Sequence, residues 1–240
     1  EGSGGINQTY FSIGLPITSF LAIGSTVNYN FGNLIYEIGQ FIEGIDNGTF
    51  LSNDSSVSGF NIQFSTQIRI PIKNKYTFQA MYSYQPKVNL DSRNNRIYFT
   101  QSFSTENITD IVEINLASLD LNQTNLDLSA INRIGIGFGK NKKWFLGVQH
   151  NLIKSSNFVN KFFERQNISY KDAKKWVVGG YFIPNYTSFT NFWSRVVYRF
   201  GLQTEQMSTI INNTPLSQTG ISFGLGLPLK GLSNINVGLE

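Results

Sequence analysis

An antiparallel transmembrane β-barrel is the fold class this sequence predicts, and three observations predict it. Apolar and polar residues alternate with period two over segments of about 9 to 14 residues, the length of a tilted strand that crosses a bilayer. The connections between those segments alternate short and long. Of 240 residues only 14% are charged while 14% are aromatic, against roughly 25% charged in soluble domains.

The strands can be followed in order. An alternating segment near 6–15 is followed by 20–35, where Leu21, Ile23, Ser25, Val27, Tyr29 and Phe31 oppose Ala22, Gly24, Thr26, Asn28 and Asn30. Near 58–70, Phe60, Ile62, Phe64, Thr66, Ile68 and Ile70 fall on one face, with Asn61, Gln63, Ser65, Gln67 and Arg69 on the other. Successive side chains of a strand point to opposite faces, so one face is oily and the other wet. The same pattern runs through 75–86, 130–140, 142–153, 174–183, 191–204, 217–228 and 233–240, about ten strands in all. No uninterrupted apolar run reaches the roughly 18 residues of a membrane helix.

The short connections are Pro16 to Ser19, Pro71 to Asn74, Asn141, Pro184 to Thr190 and Pro228 to Leu232. The long ones are 36–57, 87–129, 154–173 and 205–216. Short periplasmic turns and long extracellular loops are the signature of an outer-membrane barrel. Charge divides the same way: Lys73, Lys75, Lys142, Lys143 and Lys230 mark the short turns, while the carboxylates, the terminal Glu1 and Glu240 apart, are expected in the long loops and none in a strand. Residues 157–166 carry helix-like spacing at Phe158, Phe162 and Arg165. The 87–129 connection either extends a hairpin or folds over the barrel mouth.

The sequence carries little chemistry. With no Cys, thiol catalysis, disulfides and Cys-based zinc sites are excluded. The single His, His150, shares a face with Trp144, Leu146, Val148 and Leu152, and reads as a polar-tipped residue near the membrane boundary rather than a catalytic base. Asp46 and Asp54 could hold Ca²⁺ only through oxygen ligands; solvated loop charge is the simpler reading. The glycines of Gly135-Ile136-Gly137-Phe138-Gly139 alternate inside a strand, so they are no nucleotide-binding loop but positions where the wall curves or something inside approaches it. No enzyme activity, cofactor or metal is expected, and a net charge of +4 without a basic run argues against a nucleic-acid partner.

Four arginines, Arg69, Arg133, Arg195 and Arg199, are expected on the polar faces of strands. A charge on the lipid face near the midplane would cost about 2 to 4 kcal/mol. These four could line a lumen and hold an anionic substrate through their paired donors. Alternatively they pair with loop or plug carboxylates inside a filled barrel. Aromatic residues near strand ends, including Tyr29, Phe31, Tyr76, Trp144, Trp176, Phe182 and Trp193, fit interfacial girdles; packing in a soluble sandwich is the alternative.

Four stretches carry a family resemblance: GGINQTYFSIGLPI around 5–17, KKWFLGVQHNL at 142–152, the segment from Lys175-Trp176 through Arg195, Tyr198-Arg199 and Gly201, and TGISFGLGLPLKGLSNINVGLE at 219–240. They resemble outer-membrane barrels of Bacteroidota and are similar to the FadL-type transporters of hydrophobic compounds. The resemblance spans nearly the whole chain and rests on strand and turn patterns; no substrate motif is matched. It implies a barrel of about fourteen strands in the bacterial outer membrane with an amino-terminal hatch, of which residues 1–240 would be one domain truncated at both ends, lacking the hatch and the final strands. It further implies outer-membrane lipid and a hydrophobic ligand such as a long-chain fatty acid as partners. Related barrels serve secretion systems, so a scaffold that holds a surface or secretion protein partner is the alternative.

Overall fold

The computed structural model describes residues 1–73, 75–163, 167–229 and 233–240. Its strands are β1 (Gly2–Pro16), β2 (Leu21–Gln40), β3 (Asn47–Ile72), β4 (Tyr76–Gln85), β5 (Val88–Ser102), β6 (Ile108–Glu113), β7 (Gln123–Leu128), β8 (Ala130–Lys140), β9 (Trp144–Lys154), β10 (Ile168–Tyr170), β11 (Ala173–Phe182), β12 (Val197–Ile211), β13 (Thr214–Pro228) and β14 (Asn234–Leu239). Ten of them make an antiparallel wall in the order β1-β2-β3-β4-β8-β9-β11-β12-β13-β14, each beside the next along the chain. These are the ten strands the alternation predicts. Among the described residues β1 and β14 form the two edges, and the wall does not close on itself.

Burial shows which face meets lipid. In a soluble sheet the apolar face is covered; here Phe60 is 65% exposed and Phe223 63%, while on the opposite face Asn61 is 3% exposed and Asn30 5%. Apolar outside and polar inside is the arrangement of a wall whose solvent is lipid.

Two aromatic clusters bound the lipid band. At the upper line Tyr29 lies 5.7 Å from Phe31 and 4.8 Å from Phe60 between ring centres. At the lower line Phe138 sits 5.5 Å from Tyr76 and 5.7 Å from Trp144. Tyr76 pairs with Ile72, so the two lines are the residue steps from Phe60 to Ile72 apart along β3. At about 3.3 Å per step and a tilt near 40°, that rise is roughly 30 Å, the thickness of a hydrocarbon core.

Above the upper line the strands continue into water. β3 pairs with β4 over Phe64–Ile72, then with β5 over Asn47–Ser58. β5 thus extends β4 around Pro86, and β6 and β7 return along its far edge. The 87–129 connection is therefore an extended hairpin that builds a side lobe. Its small core is Val57, Leu90 and Leu126, with Leu34, Leu128 and Phe158 against them. Gly59 sits at the junction in backbone at φ 157°, where an added Cβ would lie 2.8 Å from Leu90 Cδ2.

Several expectations are corrected. The 36–57 and 205–216 connections are mostly strand, because β2, β3, β12 and β13 run on beyond the membrane band. The β12–β13 turn is only Asn212-Asn213, both with left-handed φ as a two-residue hairpin needs. The connection from Ile183 to Val196, expected as a short turn and then strand, is long; β12 starts at Val197, and Arg195 lies in a short 3₁₀ turn at Trp193–Arg195, not on a strand. Its polar tail needs no ladder there. Carboxylates do occur in strands: Glu37, Asp54, Asp91, Asp110, Glu113, Asp127 and Glu205, all in strand beyond the lipid band or facing inward, where water is available. The described part of 157–166 is turn and coil rather than helix; Glu164, Arg165 and Gln166 lie outside the described residues, as does Lys230.

Candidate functional site

The inner face of the wall is the candidate site, and register builds it. Near the upper line, amides bridge three strands: Gln8 Nε2 donates to Asn30 Oδ1 (3.1 Å), and Asn30 Nδ2 donates to Asn61 Oδ1 (2.7 Å). Asn61 Nδ2 and Ser83 Oγ are buried and unpartnered among the described residues. In register with Ser83 on one side and Asn151 on the other stands Arg133 of β8. Its Nη1 donates to Gln63 Oε1 at 3.2 Å.

Below Arg133, β8 presents Gly135, Gly137 and Gly139 on the same face. Gly137 is paired with Gly147 of β9, Gly147 with Gly179 of β11, and Gly179 with Gly201 of β12. Four neighbouring strands thus carry glycine in one continuous row. Missing side chains along a row leave a shallow groove across the strands, with bare backbone as its floor. The Phe145 ring lies in this groove over Gly137 and Gly147, and a Cβ on Gly137 would overlap it.

Met81, Phe145 and Val177 wall a niche of about 270 Å³ over this floor, rimmed by Gln67, Gln79 and Gln149. Apolar walls with a few amides around them suit a small apolar body, which fixes its orientation through few polar contacts. Two larger clefts open higher up. One of about 1100 Å³ is polar, with Asp91, Asp120 and Asp127 facing Arg93 and Lys161; one of about 820 Å³ includes Leu34, Tyr36, Leu126, Phe158 and Phe163.

The four arginines are not brought together. Arg69 is on the inner face of β3 in register with Gln79, toward the lower end. Arg133 is beside the amides near the upper end. Arg199, inward on β12, donates from Nη1 to Asn236 Oδ1 at 2.9 Å. Arg195 packs its guanidinium 5.8 Å from the Phe192 ring centre, below the wall. Among the described residues the ion pairs use lysines instead: Lys87–Asp127 (2.6 Å), Lys154–Asp172 (2.8 Å) and Lys175–Glu205 (3.3 Å). His150 faces outward and stacks on Trp176 at 4.2 Å, one outward position below Lys174. Asp46 is held by hydroxyls: Ser102 Oγ donates to it at 2.6 Å and Ser104 Oγ at 2.7 Å. Those bonds hold its carboxyl below the ordinary carboxylate range. No group of three or more His or acidic side chains is placed to share a metal among the described residues.

A sequence model of one family, BamG, matches residues 1–240. The chain belongs to the BamG family. Solved structures share the fold of this BamG-family chain at low identity. A Pseudomonas aeruginosa FadL homologue superposes with a TM-score of 0.61 at 11% identity, covering 99% of this chain and 59% of its own. The CymD monoaromatic hydrocarbon channel gives 0.58 at 12% identity over 99% of this chain and 68% of that one. The Ralstonia pickettii toluene transporter TbuX gives 0.57 at 11%, over 98% and 61%. This chain therefore spans about 59% of the FadL homologue's length, and the expected likeness to FadL-type barrels holds at the level of fold. No curated protein matches the chain.

The glycine row is the feature that sequence reasoning missed. The glycines themselves are visible as alternate residues of single strands. Their alignment depends on register, which β8–β9 and β11–β12 pairing sets and a single strand does not reveal.

Proposed function

We propose that this BamG-family wall belongs to a bacterial outer-membrane barrel that passes a small hydrophobic compound without changing it chemically. The observation that carries the reading is the apolar niche on a glycine floor, set in an otherwise amide-rich inner face. The similar folds of a monoaromatic hydrocarbon channel and a toluene transporter support the substrate class. A space of about 270 Å³ holds one aromatic ring or a short alkyl chain. A long-chain fatty acid would have to lay its tail along the glycine row and direct its carboxylate toward Arg133, whose remaining donors suit it.

Uptake of labelled toluene into liposomes carrying the whole protein tests this. Val177→Trp, which fills the niche from its wall, is expected to slow uptake to the protein-free rate while the barrel remains folded. Uptake no faster with the natural protein than without it would refute the reading.

A second reading, a barrel that holds a surface or secretion protein partner, has one observation in its favour. Beyond the membrane band the strands rise into a lobe that exposes Phe41, Ile42, Ile45 and Phe103 to water.

A further inference from the structure

The lobe differs from the rest of the chain in both charge and surface. Residues 37–58 and 88–128 contain ten carboxylates (Glu37, Glu43, Asp46, Asp54, Asp91, Glu106, Asp110, Glu113, Asp120 and Asp127) and two basic residues, Arg93 and Arg96. The whole chain has 15 acidic and 19 basic residues, so the remainder holds 5 acidic against 17 basic. Net charge is therefore −8 on the lobe and +12 elsewhere.

At the tip, four phenylalanines gather on the lobe's outer face. Phe41 lies 5.7 Å from Phe50 and 5.1 Å from Phe103, and Phe50 stacks on Phe99 at 5.1 Å. Gly39 and Gly48 lie beneath them, where a Cβ would meet the Phe41, Phe50 and Phe103 rings. The two hairpin tips are clipped together, since Asp46 accepts from Ser102 and Ser104 side chains and its carbonyl accepts from the Phe103 N–H at 2.9 Å. The patch is thus a built surface on two joined turns. Phe41, Ile42, Ile45, Phe103 and Ile108 are each 48% exposed or more.

This patch is not the top of the lipid band. Between Phe60 and Phe50 the outer face of β3 reads Ser58, Ser56, Asp54 and Ser52. From Phe60 to Phe50 is a rise of roughly 25 Å at about 3.3 Å per residue and a tilt near 40°. An apolar cluster held so far above the membrane is discontinuous with it. Large exposed apolar patches with a polar rim mark interaction sites.

The charge selects the occupant. Glu43, Asp46 and Glu106 lie in the two tip turns, Asp110 and Glu113 lie on β6 beside β5, and no Lys or Arg occurs in residues 37–58 or 97–128. Anionic phospholipid and nucleic acid would be repelled. A free sheet edge is an inferior docking surface here, because β6 carries a bulge at Asp110, φ 52°, and such bulges blunt edge pairing. What fits is a face that offers aliphatic groups to the phenylalanines and guanidinium groups to both the carboxylates and the ring faces.

We propose that the outer face of this tip docks an arginine- and aliphatic-rich segment of a partner protein. This deepens the second reading above and is independent of passage through the wall.

The test uses the whole protein in detergent and three labelled twelve-residue peptides: alternating Arg and Leu, alternating Glu and Leu, and alternating Arg and Ser. Fluorescence anisotropy is expected to show binding of the Arg/Leu peptide alone, weaker at high ionic strength. Ile42→Ser with Ile45→Ser, in an exposed turn that leaves the strands intact, and separately Glu43→Gln with Glu106→Gln, should each weaken it about tenfold, a change of about 1.4 kcal/mol. Amide exchange in β3 of each variant checks that the lobe is still folded. Equal binding of the Arg/Ser peptide, binding indifferent to these variants, self-association through the tip, or capture of anionic vesicles in place of the peptide would overturn the proposal. Purification of the whole protein from its own membrane, run in parallel, separates the two levels. A partner retained by the tip variants removes the tip as its site and leaves the scaffold reading standing.

Discussion

Strand β3 passes through two environments, and its two halves carry different chemistry on the same face. From Phe60 down to Ile70 the outward residues are Phe, Ile, Phe, Thr, Ile and Ile; from Ser58 up to Ser52 they are Ser, Ser, Asp and Ser. The backbone is continuous and antiparallel throughout, and only the pairing partner changes, from β4 to β5. Hydrogen bonding therefore specifies a strand in both halves, while the solvent specifies the outward residues. Lipid tolerates no unpaired charge there, whereas water above the band accepts carboxylates at little cost. The division extends to the whole chain as the contrast between an acidic lobe and a basic wall.

The largest effect expected from breaking this comparison is a charge placed on the lower half. Phe64→Arg should destabilise the folded protein by about 2 to 4 kcal/mol, as for Arg near a bilayer midplane. Ser58→Arg on the upper half, in register with Asp91, should stay within about 0.5 kcal/mol, as for ordinary surface substitutions. Reversible urea unfolding in lipid vesicles measures both, and equal costs would erase the distinction between the halves.

Next in size is the inner groove. Gly137→Ala places a methyl against the Phe145 ring, and such overpacking costs about 1 to 3 kcal/mol. The same unfolding experiment reads it, and pairing with Phe145→Ala should restore most of the loss. No restoration would mean that the ring does not occupy the row.

A smaller effect is expected at the tip clip. The Asp46 carboxyl is lowered by hydrogen bonds from Ser102 and Ser104, so the charged form is the one that holds the turns. A folded value below the unfolded one means that the contribution is fully present above the ordinary carboxylate range. It is lost as pH falls through the lowered folded value. Exchange at the Ser104 amide, which donates to Asp46 Oδ1 at 3.0 Å, should accelerate relative to its intrinsic rate in that acid window and, in Asp46→Ala, at every pH. Protection unchanged by the substitution would show that the backbone alone joins the turns.

Smallest of all is the Lys154–Asp172 pair at 2.8 Å, its lysine about half exposed and its aspartate about a quarter. Lys154→Gln should change stability by no more than about 0.5 kcal/mol, because water and salt screen such pairs. A larger loss would indicate that the connection after β9 is anchored there.

How far the sequence discloses this arrangement depends on the periodicity of each part. Within the lipid band the outward residues are apolar apart from small hydroxyl side chains such as Ser25 and Thr66, so period two stands out, and all ten wall strands are legible. Above the band both faces of β2 and β3 meet water or a small core. Asn53, Asp54, Ser55 and Ser56 then alternate nothing, and the strand extensions look like loop. Asn212-Asn213 is a hairpin signal in its own right, yet it lies in a polar stretch that hides the flanking strands. Arg199 and Arg133 are legible as inward residues because their strands alternate cleanly. Arg195 is not, because the aromatic residues before it imitate a strand start. The glycine row requires the register of four strands at once.

The most direct test of the two-environment account exploits the absence of native cysteines. Single cysteines placed at outward positions 54, 56, 58, 60, 62, 64 and 66 of β3, in the whole protein in its own membrane, are treated with a membrane-impermeant maleimide; Ser52, 8% exposed, is left out because its neighbours cover it. Labelling is predicted to be high through Ser58, to fall sharply between Ser58 and Ile62, and to be low through Thr66. Uniform labelling along the whole series would contradict the account.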